Sequence, residues 1–238
     1  MSPRRRSGCL VALVVLLAVV LGVLVVVDRV GVHIADDRVA GQIATRGSLS
    51  GTPQVDITGF PFLTQALSGR YRDVRIHLTA AELGQPAGTR ADVSLKGVHV
   101  PLSDALSGSV QQIPVDRIDG TATLSYALLA AQLGGDTTLA QNGDGIRLTK
   151  TVQVLGFTFP LAATGSVKLD GQDVVVDVTD ASAGGVDVPG VVLTTAEKLL
   201  DFSYRVPALP FGLQLTSVQP AADGIDVRVA ARDTVLKG

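Results

Sequence analysis

The chain has 238 residues, of which 46% are hydrophobic and 18% are charged, and its formal net charge is −2. Residues 29–238 hold 17 Lys and Arg against 21 Asp and Glu, and a mildly acidic domain without basic runs argues against a nucleic-acid partner. Cys9 is the only cysteine, which excludes an intrachain disulfide and a cysteine-based zinc site.

The N-terminus has the pattern of a membrane anchor. Three arginines at positions 4–6 precede an unbroken apolar run from Gly8 to Val27, and about 20 apolar residues suffice for a helix to cross a bilayer. The alternative is a cleavable signal peptide, whose apolar core is usually shorter and ends at a small-x-small site. No such site precedes Asp28, so the sequence predicts an uncleaved anchor.

The charge pattern around this run predicts the orientation and the domain boundaries. Arginines before an anchor favour the cytoplasmic side, so we expect residues 1–7 to form a cytoplasmic basic tail and 8–27 the transmembrane anchor. Residues 30–238 then form one domain outside the cell membrane, on the periplasmic side of a single-pass protein. Because no polar or Pro-rich linker interrupts residues 30–238, no further boundary is predicted.

The predicted elements after the anchor are one helix followed mainly by strands. Residues 32–49 have the periodicity of an amphipathic helix, and 126–133 and 194–202 are two further candidate helices. Alternating apolar and polar residues separated by Gly, Asp and Asn turns predict eight to ten antiparallel strands. The clearest strand-like segments are 71–79, 91–100, 118–124, 146–154, 166–169, 174–178, 213–218 and 225–229. Gly97, Gly120 and Gly165 interrupt strand patterns and predict kinks or bulges there.

Three short segments concentrate the aromatic residues. The chain has six Phe and no Trp, and five of the six Phe occur in segments where Gly or Pro bends the chain. Aromatic side chains bring a large apolar area with few rotatable bonds, so we expect these segments to aim their rings at one shared apolar space. Ordinary core packing at strand ends is the alternative. The residues expected to line the space are Phe60, Phe62, Leu63, Phe157, Phe159 and Phe211, with Val74, Ile76 and Leu78 of the adjoining strand.

A basic cluster follows the first aromatic segment. Arg70 and Arg72 share the alternation phase of Val74 in the predicted strand, whereas Arg75 has the opposite phase. Guanidinium groups at the end of an apolar strand face are suited to hold a phosphate with two parallel hydrogen bonds. The sequence therefore nominates Arg70, Arg72 and Arg75 as head-group ligands, with a solvated strand end as the alternative.

Residues for catalysis or metal binding are few. His33, His77 and His99 are far apart and lack metalloprotease spacing, and no nucleophile elbow or phosphate-binding glycine loop occurs. Many of the aspartates fall in turns, where the side chain bonds its own backbone. We therefore expect no catalytic residues, no metal site and no cofactor.

Two segments carry a resemblance to a known family. The first is Gly59–Gln65, followed by Gly69, Tyr71 and Asp73-Val74; the second is Leu209–Val218, followed by Asp223–Ile225. Together they resemble the opening and closing signatures of the LmeA-like phospholipid-binding proteins of actinobacterial cell envelopes. The resemblance spans residues 30–236, and between the two signatures the pattern is generic β structure.

The resemblance implies an exported, membrane-proximal protein that binds phospholipid in an apolar groove and supports lipoglycan assembly. With the residue patterns, it predicts an α+β fold in which a strongly curved antiparallel sheet wraps a helix. This arrangement would enclose an elongated apolar tunnel, as in tubular lipid-binding proteins. The expected partners are an anionic phospholipid, the membrane and possible envelope biosynthesis enzymes.

Two other functions stay open at this point. A non-catalytic envelope scaffold would have a packed interior and an exposed apolar patch for a protein partner. A hydrolase or an accessory to glycosyl transfer would bring carboxylates or histidines together in a cleft. A continuous apolar pocket would favour lipid binding over both.

Overall fold

The computed structural model describes residues 4–133, 137–154, 157–183, 186–187, 202–205 and 212–237. The helices in these residues are α1 (Arg4–Arg46), α2 (Phe62–Ser68), α3 (Ala80–Leu83), α4 (Leu102–Ser107) and α5 (Tyr126–Leu133). The strands are β1 (Gln54–Thr58), β2 (Arg70–Leu78), β3 (Arg90–His99), β4 (Gln112–Ser125), β5 (Thr137–Asn142), β6 (Gly145–Val154), β7 (Phe157–Asp170), β8 (Asp173–Ala183), β9 (Val186–Asp187), β10 (Phe202–Arg205), β11 (Gln214–Pro220) and β12 (Gly224–Lys237).

Helix α1 combines the predicted anchor and the predicted amphipathic helix in one continuous element. No proline interrupts it, and the ring of Phe62 packs against it at Gly31, 3.5 Å from where a Cβ would stand. Residues 11–27 are exposed all round the helix, and the first buried side chain is that of Asp28. The helix therefore has an apolar half that stands clear of the domain and a half that packs on it.

Two carboxylates attach the second half of α1 to the domain. Asp28 Oδ1 accepts a hydrogen bond from the backbone N–H of Leu63 at 2.7 Å, and Asp36 Oδ1 accepts one from Ile57 N–H at 2.8 Å. Burial raises the pKa of Asp36 in spite of the hydrogen bond from Ile57. Without these bonds, the backbone N–H groups of Leu63 in α2 and Ile57 in β1 would be partly or fully buried and would lack a partner.

The first sheet has the strand order β1-β2-β3-β4-β12-β11, and all its pairs are antiparallel. Its two sides differ sharply in chemistry. One side packs against α1 and α2 and forms the larger core, with Val55, Val74 and Ile118 at its centre. The other side carries ion pairs, such as Arg117 with Asp119 at 2.7 Å.

The second sheet has the order β10-β8-β7-β6-β5, with β9 on β8. It meets the first sheet through a smaller core in which Ile146 and Val167 pack with Val218 and Ile225. The turns predicted at residues 142–145 and 170–173 are confirmed, as is the final hairpin around Asp223. A register shift between Thr164 and Gly165 confirms the predicted irregularity at Gly165.

The α+β class with antiparallel sheets and an N-terminal apolar helix is confirmed. The strands form two sheets where one was expected, because the chain leaves the first sheet after β4 and returns to it only with β11. The helix over 126–133 is confirmed. The helix over 194–202 falls outside the described residues except for Phe202, which begins β10. The tunnel and the wrapping of the sheet around the helix stay predictions.

Candidate functional site

The side of the first sheet that faces α1 carries aligned rows of apolar residues. Directly opposed residues in antiparallel strands share a face, so the register fixes the composition of each row. Three successive rows from β2 to β12 are Val74, Leu95, Ile118 and Ala231; Ile76, Val93, Gly120 and Val229; and Leu78, Ala91, Ala122 and Val227. We call these three rows the apolar face.

Burial falls along the apolar face with distance from the helices. The first row is buried except for Leu95, whereas the apolar side chains of the second and third rows are all only half-buried. A Cβ at Gly120 would approach the Val229 side chain to 2.9 Å, so glycine is required there. The strands are paired through Gly120 without a shift of register, so the kink expected at this position is absent. Because Gly120, Ala91 and Ala122 are small, these rows form a depression in the middle of the sheet.

The strands of the first sheet share an irregular row at one end of the apolar face. Four strands each contribute one residue to this row: Arg72 of β2, Gly97 of β3, Asp116 of β4 and Asp233 of β12. These residues stand opposite one another without being paired, although the strands keep the same register before and after the row. Gly97 has φ +63° and Asp233 has φ +47°. Gly59, one residue beyond β1 at the same level, has φ +104°. We call this row the crease.

The alternation of side chains slips by one residue at the crease. Tyr71, Val98 and Val115 lie three residues from Val74, Leu95 and Ile118 respectively, yet all of them belong to the same core. The predicted phase of Arg70 and Arg72 is therefore wrong: Tyr71 is the inward side chain before the crease, and both arginines are exposed. The irregularity predicted at Gly97 is confirmed as a change of phase, which occurs without a shift of register.

Gln65 of α2 bonds to backbone groups at the crease. Its Oε1 accepts from Arg72 N–H at 2.9 Å, and its Nε2 donates to Gly59 O at 3.1 Å and to Thr58 O at 3.3 Å. The side chain is buried. It replaces the ladder bonds that the strand pair loses there, since buried backbone groups need partners.

An open groove of about 420 Å³ lies along the crease. It is lined by Thr64, Gln65 and Ser68 of α2, by Arg70, Tyr71 and Arg72 of β2, and by Gly97 and Asp116. The ring of Tyr71 lies 6.2 Å from that of Phe62, so the same tyrosine lines the groove and packs in the core. Burial raises the pKa of Tyr71. The groove thus joins a polar rim to the apolar interior.

The two arginines of the groove differ in their surroundings. Arg70 Nε donates to His99 Nε2 at 2.7 Å, and His99 Nδ1 lies 3.9 Å from Asp116 Oδ1. Within the described part of the chain, the guanidinium of Arg72 makes no hydrogen bond or ion pair. Arg72 is therefore available to an anion in the groove, and Arg70 can join it by giving up its bond to the half-buried ring of His99.

Arg75 is engaged elsewhere. Its Nε donates to Asp73 Oδ2 at 2.8 Å on the polar side of the sheet, and Ser94 donates to Asp73 Oδ1 at 2.6 Å. Burial acts to raise the pKa of Asp73, but the hydrogen bonds from Ser94 and Arg75 and the charge of Arg75 outweigh it and hold that pKa below its usual range. This arrangement gives Arg75 a structural partner, away from the groove.

Of the residues predicted to line one apolar space, the structure brings Phe62, Val74 and Ile76 together in the larger core. Phe62 is buried in the larger core, whereas Phe60 is 50% exposed, with the Arg29 guanidinium 5.1 Å from its ring centre. Leu63 is half-buried near Gly31. Phe157 and Phe159 lie in β7 of the second sheet, where their backbone alone is described, and Phe211 falls outside the described residues. A space shared by all five rings stays a prediction.

Sequence reasoning missed Gln65, Tyr71 and Asp116. A signal for the last two was present, since apolar residues three apart, at Tyr71 and Val74 and again at Val115 and Ile118, contradict regular alternation. Among the described residues no three His, Cys, Asp or Glu side chains are grouped to hold a metal. His77 is paired with Asp92 on the polar side of the sheet, away from the groove.

The first sheet has a half-covered apolar face with a charged groove at one end, and α1 has the length of a membrane-spanning helix. These features describe a protein suited to amphipathic molecules. The model of the LmeA-like phospholipid-binding family matches residues 26–230, and the chain belongs to that family. Searches of curated proteins and of solved structures gave no significant match. The family indicates lipid binding, and the apolar helix fits a membrane anchor or a signal sequence by length and composition.

Proposed function

We propose that this chain is a membrane-anchored, exported phospholipid-binding protein whose apolar face holds acyl chains and whose groove holds the head group. The observation that carries the proposal is the continuity between the two. From the half-buried second and third rows, the apolar face continues through the buried first row to the crease, where Tyr71 belongs both to the core and to a groove with two exposed arginines. The family match supports phospholipid as the ligand class.

The dimensions suit this arrangement. Arg72 and Leu78 are both in β2, six residues apart, which corresponds to about 20 Å along a strand. Acyl chains along the apolar face would therefore have their phosphate at the groove, beside Arg70 and Arg72. Charge-assisted hydrogen bonds from guanidinium groups favour a phosphodiester there, so an anionic phospholipid is the proposed ligand.

The proposed setting is the extracytoplasmic face of the cell membrane, with the apolar run of α1 retained as the anchor. Lipid held there would be presented to enzymes of envelope lipid or lipoglycan assembly, and the chain itself would contribute binding and position without a catalytic step or a cofactor. The half-covered apolar face favours this function over a scaffold with a fully packed interior.

Native mass spectrometry of the full chain in detergent, followed by lipid extraction, tests the proposal. We expect a co-purified phospholipid in the parent chain and less of it in Ala122→Leu, which fills the low part of the apolar face. Thr121→Leu is the matched control, because it adds a similar volume to the polar side of the same strand. A parent chain without bound lipid, or an equal loss in both variants, would contradict the proposal.

A further inference from the structure

The exposed apolar surface of α1 continues beyond the predicted anchor. Val23, Val27, Val30 and Ile34 fall on one stripe of the helix at about 100° per residue, and their exposed fractions are 57, 49, 54 and 51%. The buried side chains of Asp28 and Val32 lie on the opposite side. The stripe that faces away from the domain therefore remains apolar for about 10 Å past Val27.

The domain side exposes an aromatic ring at the same height on the helix. The bond from Leu63 N–H to Asp28 and the packing of Phe62 on Gly31 fix the start of α2 beside residues 28–31 of α1. Phe60 precedes α2 and is half exposed, and the Arg29 guanidinium stands 5.1 Å from its ring centre. An apolar ring and a cation thus share this level with the exposed Val30.

We propose that Arg29, Val30 and Phe60, here called the collar, lie in the head-group layer of the leaflet from which the domain emerges. The run from Gly8 to Val27 matches the hydrocarbon thickness of about 30 Å, and the head-group layer adds roughly 5–7 Å on each side. Val30 stands about 4–5 Å beyond Val27 along the helix, so it falls inside that layer. The collar therefore places the domain in direct contact with the bilayer.

The chemistry of the collar fits this occupant. Amphipathic and basic side chains are favoured where hydrocarbon meets water, since an apolar stem or ring is buried while the cation meets phosphate. The continuity of α1 through this level brings the bilayer to the collar without a linker. Leu67 and Leu106 are more exposed, at 75% and 69%, but neither packs in the described contacts between α1 and the start of α2.

Seating the domain in this way brings the lipid groove close to the membrane surface. Helix α2 has seven residues from Phe62 to Ser68, a length of about 10 Å, and its later residues Gln65 and Ser68 line the groove. This step rests on the proposed function. It implies that a phospholipid passes between bilayer and groove over a short path beside α2.

The absence of tryptophan from the chain allows a direct test with single-Trp variants of the full chain in vesicles of phosphatidylcholine and phosphatidylglycerol carrying brominated acyl chains. Val20→Trp reports on the anchor, Phe60→Trp on the collar and Leu106→Trp on an exposed site outside it. We expect strong quenching of Val20→Trp, partial quenching with blue-shifted emission for Phe60→Trp, and solvent-like, unquenched emission for Leu106→Trp.

The outcomes separate the collar from the proposed function. Quenched Val20→Trp with solvent-like Phe60→Trp would overturn the collar alone, while unquenched Val20→Trp would overturn both the collar and membrane anchoring. Blue-shifted Phe60→Trp without lipid quenching would assign the surface to a second copy of the chain and overturn contact with the bilayer. Quenching of Leu106→Trp equal to that of Phe60→Trp would show general adsorption and would also overturn it.

Discussion

The side chain of Gln65 and the backbone of Arg72 are joined by a hydrogen bond of 2.9 Å at the point where β2 loses its regular pairing. The same amide donates to two carbonyl oxygens at the end of β1. One buried side chain therefore makes three hydrogen bonds to backbone groups and ties α2 to the crease. The groove depends on this link, because it lies between α2 and the crease.

Replacing Gln65 by leucine should destabilise the fold. The change keeps the volume but removes the three hydrogen bonds to Arg72 N–H and to the carbonyls of Thr58 and Gly59, and each such bond contributes about 0.5–1.5 kcal/mol net. We expect a loss of stability in that range or above, measured by thermal unfolding of the full chain in detergent. Gln219→Leu, at an exposed glutamine of β11, should leave the midpoint nearly unchanged. Equal midpoints for the two variants would contradict the role given to Gln65.

Gly97 should be less tolerant of substitution than a glycine in an open turn. At φ +63°, a Cβ on Gly97 would overlap the Asp116 carboxylate, whereas Gly143 has φ +58° and no atom within 4 Å of such a Cβ. Gly143→Ala therefore measures the backbone strain alone, about 1–2 kcal/mol. We expect Gly97→Ala to cost clearly more in thermal unfolding.

The excess at Gly97 should depend on Asp116. In the double variant Gly97→Ala, Asp116→Ala the carboxylate is gone, so the cost should fall toward that of Gly143→Ala. A double-mutant cycle gives the coupling between the two positions. Independent, additive effects would show that Asp116 does not need the space over Gly97.

Acid should weaken the first sheet through Asp73. Its pKa is lowered in the folded state by the hydrogen bonds from Ser94 and Arg75, which outweigh burial. A lowered folded pKa gives stability that is present above the unfolded value of about 3.9 and is lost as the pH falls through the folded pKa. Asp73→Asn should therefore be less stable than the parent at pH 7 and should lose less stability below about pH 4.

The comparison requires unfolding midpoints of parent, Asp73→Asn and Asp144→Asn from pH 7 down to acid. Asp144 is exposed in the turn between β5 and β6 and serves as the control for a carboxylate lost from the surface. Parallel curves for the parent and Asp73→Asn would contradict the assignment.

Much of the fold could be predicted from patterns that are local in sequence. The apolar run, the hairpin turns, the helix at 126–133 and the alternation in β2 each follow from a few neighbouring residues. The crease could not be predicted in this way. It depends on the alignment of Arg72, Gly97, Asp116 and Asp233 across four strands, and register is set by the whole sheet.

The candidate site shows the same division. The motif around Gly59–Gln65 lies beside the candidate groove, which Arg70 and Arg72 line, and their role as head-group ligands stays a prediction. The strand phase of Arg70 and Arg72 was wrong because regular alternation was carried through a crease that only the neighbouring strands reveal. The role of Gln65 needed the three-dimensional contact, since a glutamine on a short helix gives no pattern of its own.

The last prediction concerns the head group. Among the described residues, Arg72 makes no ion pair and Arg70 bonds only to Nε2 of His99, so both can turn to a phosphate in the groove. A hydrogen bond to a charged group is worth about 1.5–3 kcal/mol, which corresponds to roughly 10- to 150-fold in affinity. The double variant Arg70→Ala, Arg72→Ala should lose at least the lower figure for an anionic phospholipid, measured by titrating detergent-solubilised lipid into the full chain.

Arg75→Ala is the matched control from the same strand: its guanidinium is held by Asp73 on the polar side, so lipid affinity should stay within about twofold, a change of less than about 0.5 kcal/mol. A double variant that binds like the parent, or an Arg75→Ala variant that loses as much, would place the head group away from the groove.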